Sequence, residues 1–129
     1  MKRNALISVK PKYVKEILDG KKKYEYRKRI FKENIDKVYI YSSSPQQRIV
    51  GYFEFCGYLS SIPRDIWEKT KDFSGISKEE YDKYFRNSNI AYAIIIKKFK
   101  IFDNAINPKE YFSKFNPPQS YIYLEGDIF

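Results

Sequence analysis

Histidine is absent from this 129-residue chain, and cysteine and methionine occur once each. Without an imidazole there is no Ser-His-Asp or Cys-His nucleophile pair and no His-ligated metal site. The single Cys56 excludes an internal disulfide and a thiolate zinc cluster. Set in an apolar run, with no imidazole to activate it, Cys56 reads as an inert core residue. Only carboxylates remain as metal ligands, and those near the basic segment have cations as closer partners. No metal and no cofactor is therefore expected. The longest apolar runs fall far short of the roughly 20 residues that a membrane span needs, and no signal peptide is evident. A cytoplasmic, reducing setting with no membrane partner follows as the expectation.

Aromatics are plentiful, at 19% with thirteen Tyr and ten Phe, and hydrophobic residues reach 43%, so a packed core rather than disorder is predicted. The length suits one domain over residues 1–129. The net charge of +9 is unevenly placed. Residues 1–50 hold fourteen Lys and Arg against five Asp and Glu, whereas residues 51–129 hold eleven of each. An excess confined to one part of the chain points to an anionic partner, most simply RNA or single-stranded nucleic acid. The many tyrosines also offer surfaces on which bases can stack.

Within that basic part, Gly20–Arg29 (GKKKYEYRKR) carries the densest signal. Read at period two, Tyr24 and Tyr26 face one way, while Lys23, Glu25, Arg27 and Arg29 share the other face. One carboxylate among cations suits phosphate binding, acceptance from a base amino group, or proton transfer. The same pattern also describes a solvated edge strand charged against aggregation.

Upstream, Ala5–Val9 reads as a buried strand. Pro11 suits a first helical turn, Tyr13, Val14, Ile17 and Leu18 recur at helical spacing, and Gly20 closes the helix. Lys10, at the strand-to-helix junction, is either an anion contact or a surface lysine. Asp36–Tyr41 is the next strand and leads into Ser42-Ser43-Ser44-Pro45, either a phosphate-binding loop or a simple turn. Gln47–Leu59 reads as one long strand in which Gly51 marks a bulge or close backbone approach, and Glu54 either reaches a rim or pairs with a cation. Trp67 anchors a helical turn near Pro63–Lys69. Ser77-Lys78-Glu79-Glu80 opens a second helix as a capping box, Ile90–Ile96 is a central strand, and a last strand lies near Ser120–Leu124. Strands outnumber helices and mostly lack crossover helices, which predicts an α+β fold: a small, mostly antiparallel barrel with flanking helices.

Four pieces come in a telling order: Ile7-Ser8-Val9-Lys10-Pro11, Gly20-x-Lys22-x-x-Glu25-x-Arg27, Ile40-Tyr41-Ser42-Ser43-Ser44-Pro45, and Ile49-Val50-Gly51-x-Phe53-Glu54. Together they resemble the ASCH domain family, whose members share the PUA-like barrel of RNA-binding domains. Pro117-Pro118-Gln119-Ser120-Tyr121 is similar to the end of a bacterial and phage subgroup known only as predicted regulators. The resemblance implies a cleft beside the first helix for RNA or a modified nucleoside, and the residues read here as its ligand contacts are Lys10, Lys22, Glu25, Arg27, Arg29, Ser42, Ser43 and Ser44. Some relatives are amidohydrolases that remove an acyl group from the N4 amine of cytidine, and a few are ribonucleases. By that resemblance Lys22 matches the catalytic lysine and Glu54 the assisting glutamate. Glu25 stands where those amidohydrolases have a nucleophilic threonine, a departure that counts against the same reaction. An RNA- or nucleotide-binding module comes first, and a metal-independent hydrolase using Lys22, Glu25 and Glu54 is the alternative.

Overall fold

The computed structural model describes residues 2–126, so the first residue and the last three of the expected 1–129 domain lie outside the described residues. Among the described residues, eight strands and three α-helices alternate irregularly. Strand β1 (Arg3–Val9) feeds helix α1 (Pro11–Leu18), followed by β2 (Tyr24–Arg27), β3 (Ile35–Ser42) and β4 (Arg48–Glu54). Then come β5 (Tyr58–Ser61), α2 (Pro63–Thr70), α3 (Lys78–Tyr84), β6 (Ala91–Ile95), β7 (Lys100–Ile106) and β8 (Tyr121–Leu124). No helix among the described residues is long and apolar enough to cross a membrane.

The strands form two sheets, one of five in the order β7-β4-β3-β1-β8 and one of three in the order β2-β6-β5. Among the described strands β1 and β3 run parallel and the other five pairs antiparallel. The α+β, mostly antiparallel fold is as expected, but the two sheets share no strand and are not hydrogen-bonded into a closed barrel.

Burial on both faces explains the composition of β1 and β3. Val38 and Ile40 point into the main core with Ala5, Ile7, Val9, Val14, Ile17, Val50 and Phe53, where Ile94 and Ile96 arrive from the second sheet. Tyr39 and Tyr41 point the other way, into a cluster with Leu6, Ile49 and Leu124 that Phe102, Phe112 and Phe115 cover. Each such buried side chain contributes roughly 1.5–3 kcal/mol. A third cluster, with Tyr26, Ile66, Tyr81 and Phe85, packs α2 and α3 on the far side of the small sheet.

Local signals behave as their chemistry dictates. Pro11 occupies the first turn of α1, and Gly20 takes φ 76° just past its end. The Ser77 side chain accepts from the Glu80 N–H at 3.1 Å and so caps α3. Gln47–Leu59 is not one strand. β4 ends at Glu54, Gly57 turns the chain with φ 117°, and β5 joins the other sheet. Cys56 falls in that break and is exposed rather than in the core.

Gly51 sits at a register shift between β4 and β7, where the two backbones come close together. A Cβ there would lie 2.2 Å from the Lys100 carbonyl oxygen and 3.0 Å from the Ile101 Cα. Gly51→Ala must push β7 off β4. The expected loss is about 3 kcal/mol, read as a melting temperature lowered by roughly 10 °C. Unchanged thermal unfolding would contradict this account of the glycine.

Candidate functional site

One cleft, about 510 Å³ in volume, opens between the end of β1, the start of α1, the edge strand β2 and helix α3. Its floor holds Lys22, Glu25 and Arg27, which are only 2%, 8% and 8% exposed. Three charged side chains this deeply buried require partners. The Arg27 guanidinium donates to a Glu25 carboxylate oxygen at 2.9 Å, to the Ser120 carbonyl at 3.2 Å, and to the Ser8 carbonyl. Its Nε has no partner among the described residues. Glu25 is thereby clamped, and its second oxygen lies 3.7 Å from the Lys22 ammonium.

Lys22 is held from across the chain. Its Nζ donates to the Ser74 carbonyl at 2.9 Å and lies over the Tyr26 ring, 4.8 Å from the centroid. Gly75, at φ 65°, leaves room for the lysine stem: a Cβ there would fall 2.3 Å from Lys22 Cβ. Beneath, the Tyr26 hydroxyl bonds to Thr70 Oγ1 at 2.7 Å, and Thr70 in turn donates to the Ile66 carbonyl. Burial lowers the Lys22 pKa from its ordinary value, an effect that the Glu25 charge partly opposes. Burial also pushes the Tyr26 hydroxyl up to about 12, which keeps it a neutral support.

Glu25 therefore stands between Lys22 and Arg27, and not between Lys23 and Arg27. Strand pairing begins only at Tyr24; at position 22 the chain instead forms an isolated bridge with Ser74. The period-two alternation does not extend back across that joint. Lys23 is exposed and lies over the Phe73 ring.

Of the other residues singled out, Lys10 lines the cleft mouth as the N-cap of α1. Arg29 is exposed, lies past the end of β2, and does not line the cleft. Ser42 is fully buried, Ser43 donates its N–H to the Val9 carbonyl, and the loop folds back as a turn onto the Ser43 carbonyl. None of Ser42, Ser43 and Ser44 lines the cleft. Glu54 is not brought to the site either. It is exposed and pairs across from Lys37, whose N–H bonds Asn4, four residues before Ser8. At the rise of a strand, that separation is roughly 13 Å.

The opposite wall was not legible in advance. Helix α3 contributes Glu80, Lys83 and Tyr84 to the cleft. Glu80 accepts from Lys12 at 2.8 Å and from the Tyr13 hydroxyl, tying α3 to α1 across the mouth. Those two hydrogen bonds bring Glu80 down to about 2. The Lys28 ammonium lies over the Tyr84 ring at 4.8 Å. Altogether five cations and two carboxylates line the cleft, so its field is positive. Among the described residues no three His, Cys, Asp or Glu side chains gather as a metal-ligand set.

Lys22 makes stability depend on pH in a definite direction. Its folded-state pKa lies below its unfolded value, so the unfolded chain binds more protons in the interval between the two. Stability gained from Lys22 therefore rises with pH through its folded pKa towards about 10. Relative to Lys22→Met, the wild type should gain stability as urea unfolding is repeated from neutral to alkaline pH. A difference that stays flat would mean that the lysine is not desolvated. Gly75→Ala, which collides with the lysine stem and strains a positive φ, should destabilise by about 2–3 kcal/mol.

Comparison with known proteins matches this architecture. A family model for the ASCH domain matches residues 7–100. The chain is 26% identical to an ASCH domain-containing ribonuclease of Zymomonas mobilis, over 98% of this chain and 87% of that protein. A crystal structure of an ASCH protein from Zymomonas mobilis superposes with a TM-score of 0.87 at 26% identity, covering 95% of this chain and 88% of that one. The chain is also 29% identical to ribosomal protein uL22 of Ureaplasma parvum, over 93% of its own length and only 39% of that protein. With the model match spanning most of β1 to β7 and the fold agreeing throughout, the chain belongs to the ASCH domain family.

Proposed function

We propose that this protein binds single-stranded RNA in the β2–α3 cleft and cleaves it there. The observation that carries the reading is the meeting of Lys22 and Glu25, both buried, at the floor of a cleft with a positive rim. The relative from Zymomonas mobilis, named a ribonuclease, supports the same reading. A cleft of about 510 Å³ falls in the range of single small-ligand sites, which suits one nucleotide and its phosphate rather than a duplex. Lys10, Lys28 and Lys83 supply the charge that draws the backbone in.

The chemistry proposed uses what RNA has and DNA lacks. A ribose 2′-hydroxyl loses its proton to the Lys22 amine, whose neutral form burial favours. The 2′-oxygen then bonds to phosphorus, the bond from phosphorus to the 5′-oxygen breaks, and the leaving oxygen takes a proton from solvent at the open side. The products are a 2′,3′-cyclic phosphate and a free 5′-hydroxyl. Glu25 orients the lysine, and the rim cations stabilise charge on the phosphorane. Arg27 spends its donors on Glu25 and on the Ser8 and Ser120 carbonyls, so it holds Glu25 and ties β2 to β1.

The test compares an RNA oligonucleotide with DNA of the same sequence, with and without magnesium ion. RNA should be cut and DNA bound but left intact, with affinity falling as salt rises by a slope of about −0.7 per phosphate contacted. Lys22→Met should lower turnover by roughly a hundredfold or more while weakening RNA binding less than about tenfold. Equal cleavage of DNA, or full activity in Lys22→Met, would sink the cleavage step. RNA bound with salt dependence but never cut would leave a binding module. Acetyl release from N4-acetylcytidine would instead favour the amidohydrolase.

A further inference from the structure

A second cavity of about 500 Å³ lies beyond the cleft, and the chain between the two is basic. Lys28 lines the first cavity, and Lys32 lines the second. Lys28, Arg29 and Lys32 are all exposed along the connecting segment. Four residues of fully extended chain span at most about 14 Å, so the cavities are neighbours. In the second, Lys2 and Lys32 have no ion-pair partner among the described residues, whereas Glu33 pairs at 2.8 Å with Arg3, a guanidinium that it shares with Glu125. Phe55 and Tyr58 add aromatic surface there, with Tyr58 42% exposed. Cations at the edge of an aromatic hollow are what a single strand needs, phosphates on the lysines and a base against a ring.

We infer that an RNA strand with one nucleotide in the cleft continues over the Lys28–Lys32 ridge and places a later base in the second cavity. The inference rests on the reading of the cleft as an RNA site. At the stacked spacing of 3.4 Å per nucleotide the ridge takes up about four nucleotides, so an octamer reaches both cavities and a dinucleotide only one.

The single cysteine supplies the readout. Cys56 lines the second cavity, is exposed, and is the chain's one thiol. Its alkylation by iodoacetamide can be followed on the intact protein with a 2′-O-methyl octamer or dinucleotide present, while anisotropy reports binding. The octamer, at saturation, should slow alkylation several-fold, and the saturating dinucleotide should leave the rate of the free protein. Lys32→Glu should weaken the octamer several-fold and the dinucleotide not at all. An octamer that binds in anisotropy yet leaves Cys56 at its free rate would overturn the ridge and spare the cleft. Failure of both oligonucleotides to bind would overturn the cleft reading and the ridge with it. Protection by an acidic peptide and not by the octamer would assign the ridge to a protein partner and overturn the proposal.

Discussion

The burial of one lysine organises this molecule. To place Lys22 at 2% exposure, the fold must give its ammonium a carbonyl, a carboxylate and an aromatic face, and give its stem a channel with no opposing Cβ. Those needs are met from three separate places. Ser74 and Gly75 arrive from the segment between α2 and α3, Glu25 and Tyr26 from β2, and Thr70 supports from α2. The desolvation that lowers the lysine pKa is a cost to stability at neutral pH, offset by packing elsewhere in the third cluster. Such local cost is commonly found where chemistry is done.

Arg27 plays the complementary part. A guanidinium with three acceptors fixed around it resembles a structural rivet more than a free phosphate clamp. The free positive charge of the cleft lies instead at its rim, on Lys10, Lys28 and Lys83. Thus the sequence excess of cations in residues 1–50 is divided between a buried pair that positions and a solvated set that attracts. Lys83, from the electrically balanced part of the chain, completes the set.

Much of this was legible from the sequence because the signals were local. Pro11 and Gly20 bracket α1, Ser77 caps α3, and Gly51 marks a close backbone approach, each through the conformational limits of its own residue. The alternation of aliphatic and aromatic residues in β3 anticipated a strand, and burial on both faces accounts for its having no polar side. What escaped was long-range. Nothing near Lys22 says that Ser74, 52 residues away, draws it inward in place of Lys23. Likewise the register of β3 against β4, which sets Glu54 opposite Lys37 and away from the cleft, is written in no short motif. The apolar run around Cys56 concealed a change of sheet, since either sheet accepts such residues and only Gly57 betrays the turn.

The tie from Lys12 and Tyr13 to Glu80 has a bearing on how wide the cleft stands. It joins two short helices over the opening by side chains alone, with Lys12 and Glu80 substantially solvated. Because Glu80 sits near 2, acidity in the ordinary range leaves the tie charged. Dissolved ions, however, screen an exposed pair readily. Added salt therefore loosens the Lys12 half of the tie and leaves the Tyr13 hydrogen bond standing, while acidity in the ordinary range spares both, so the two halves of one small latch answer to different solvents.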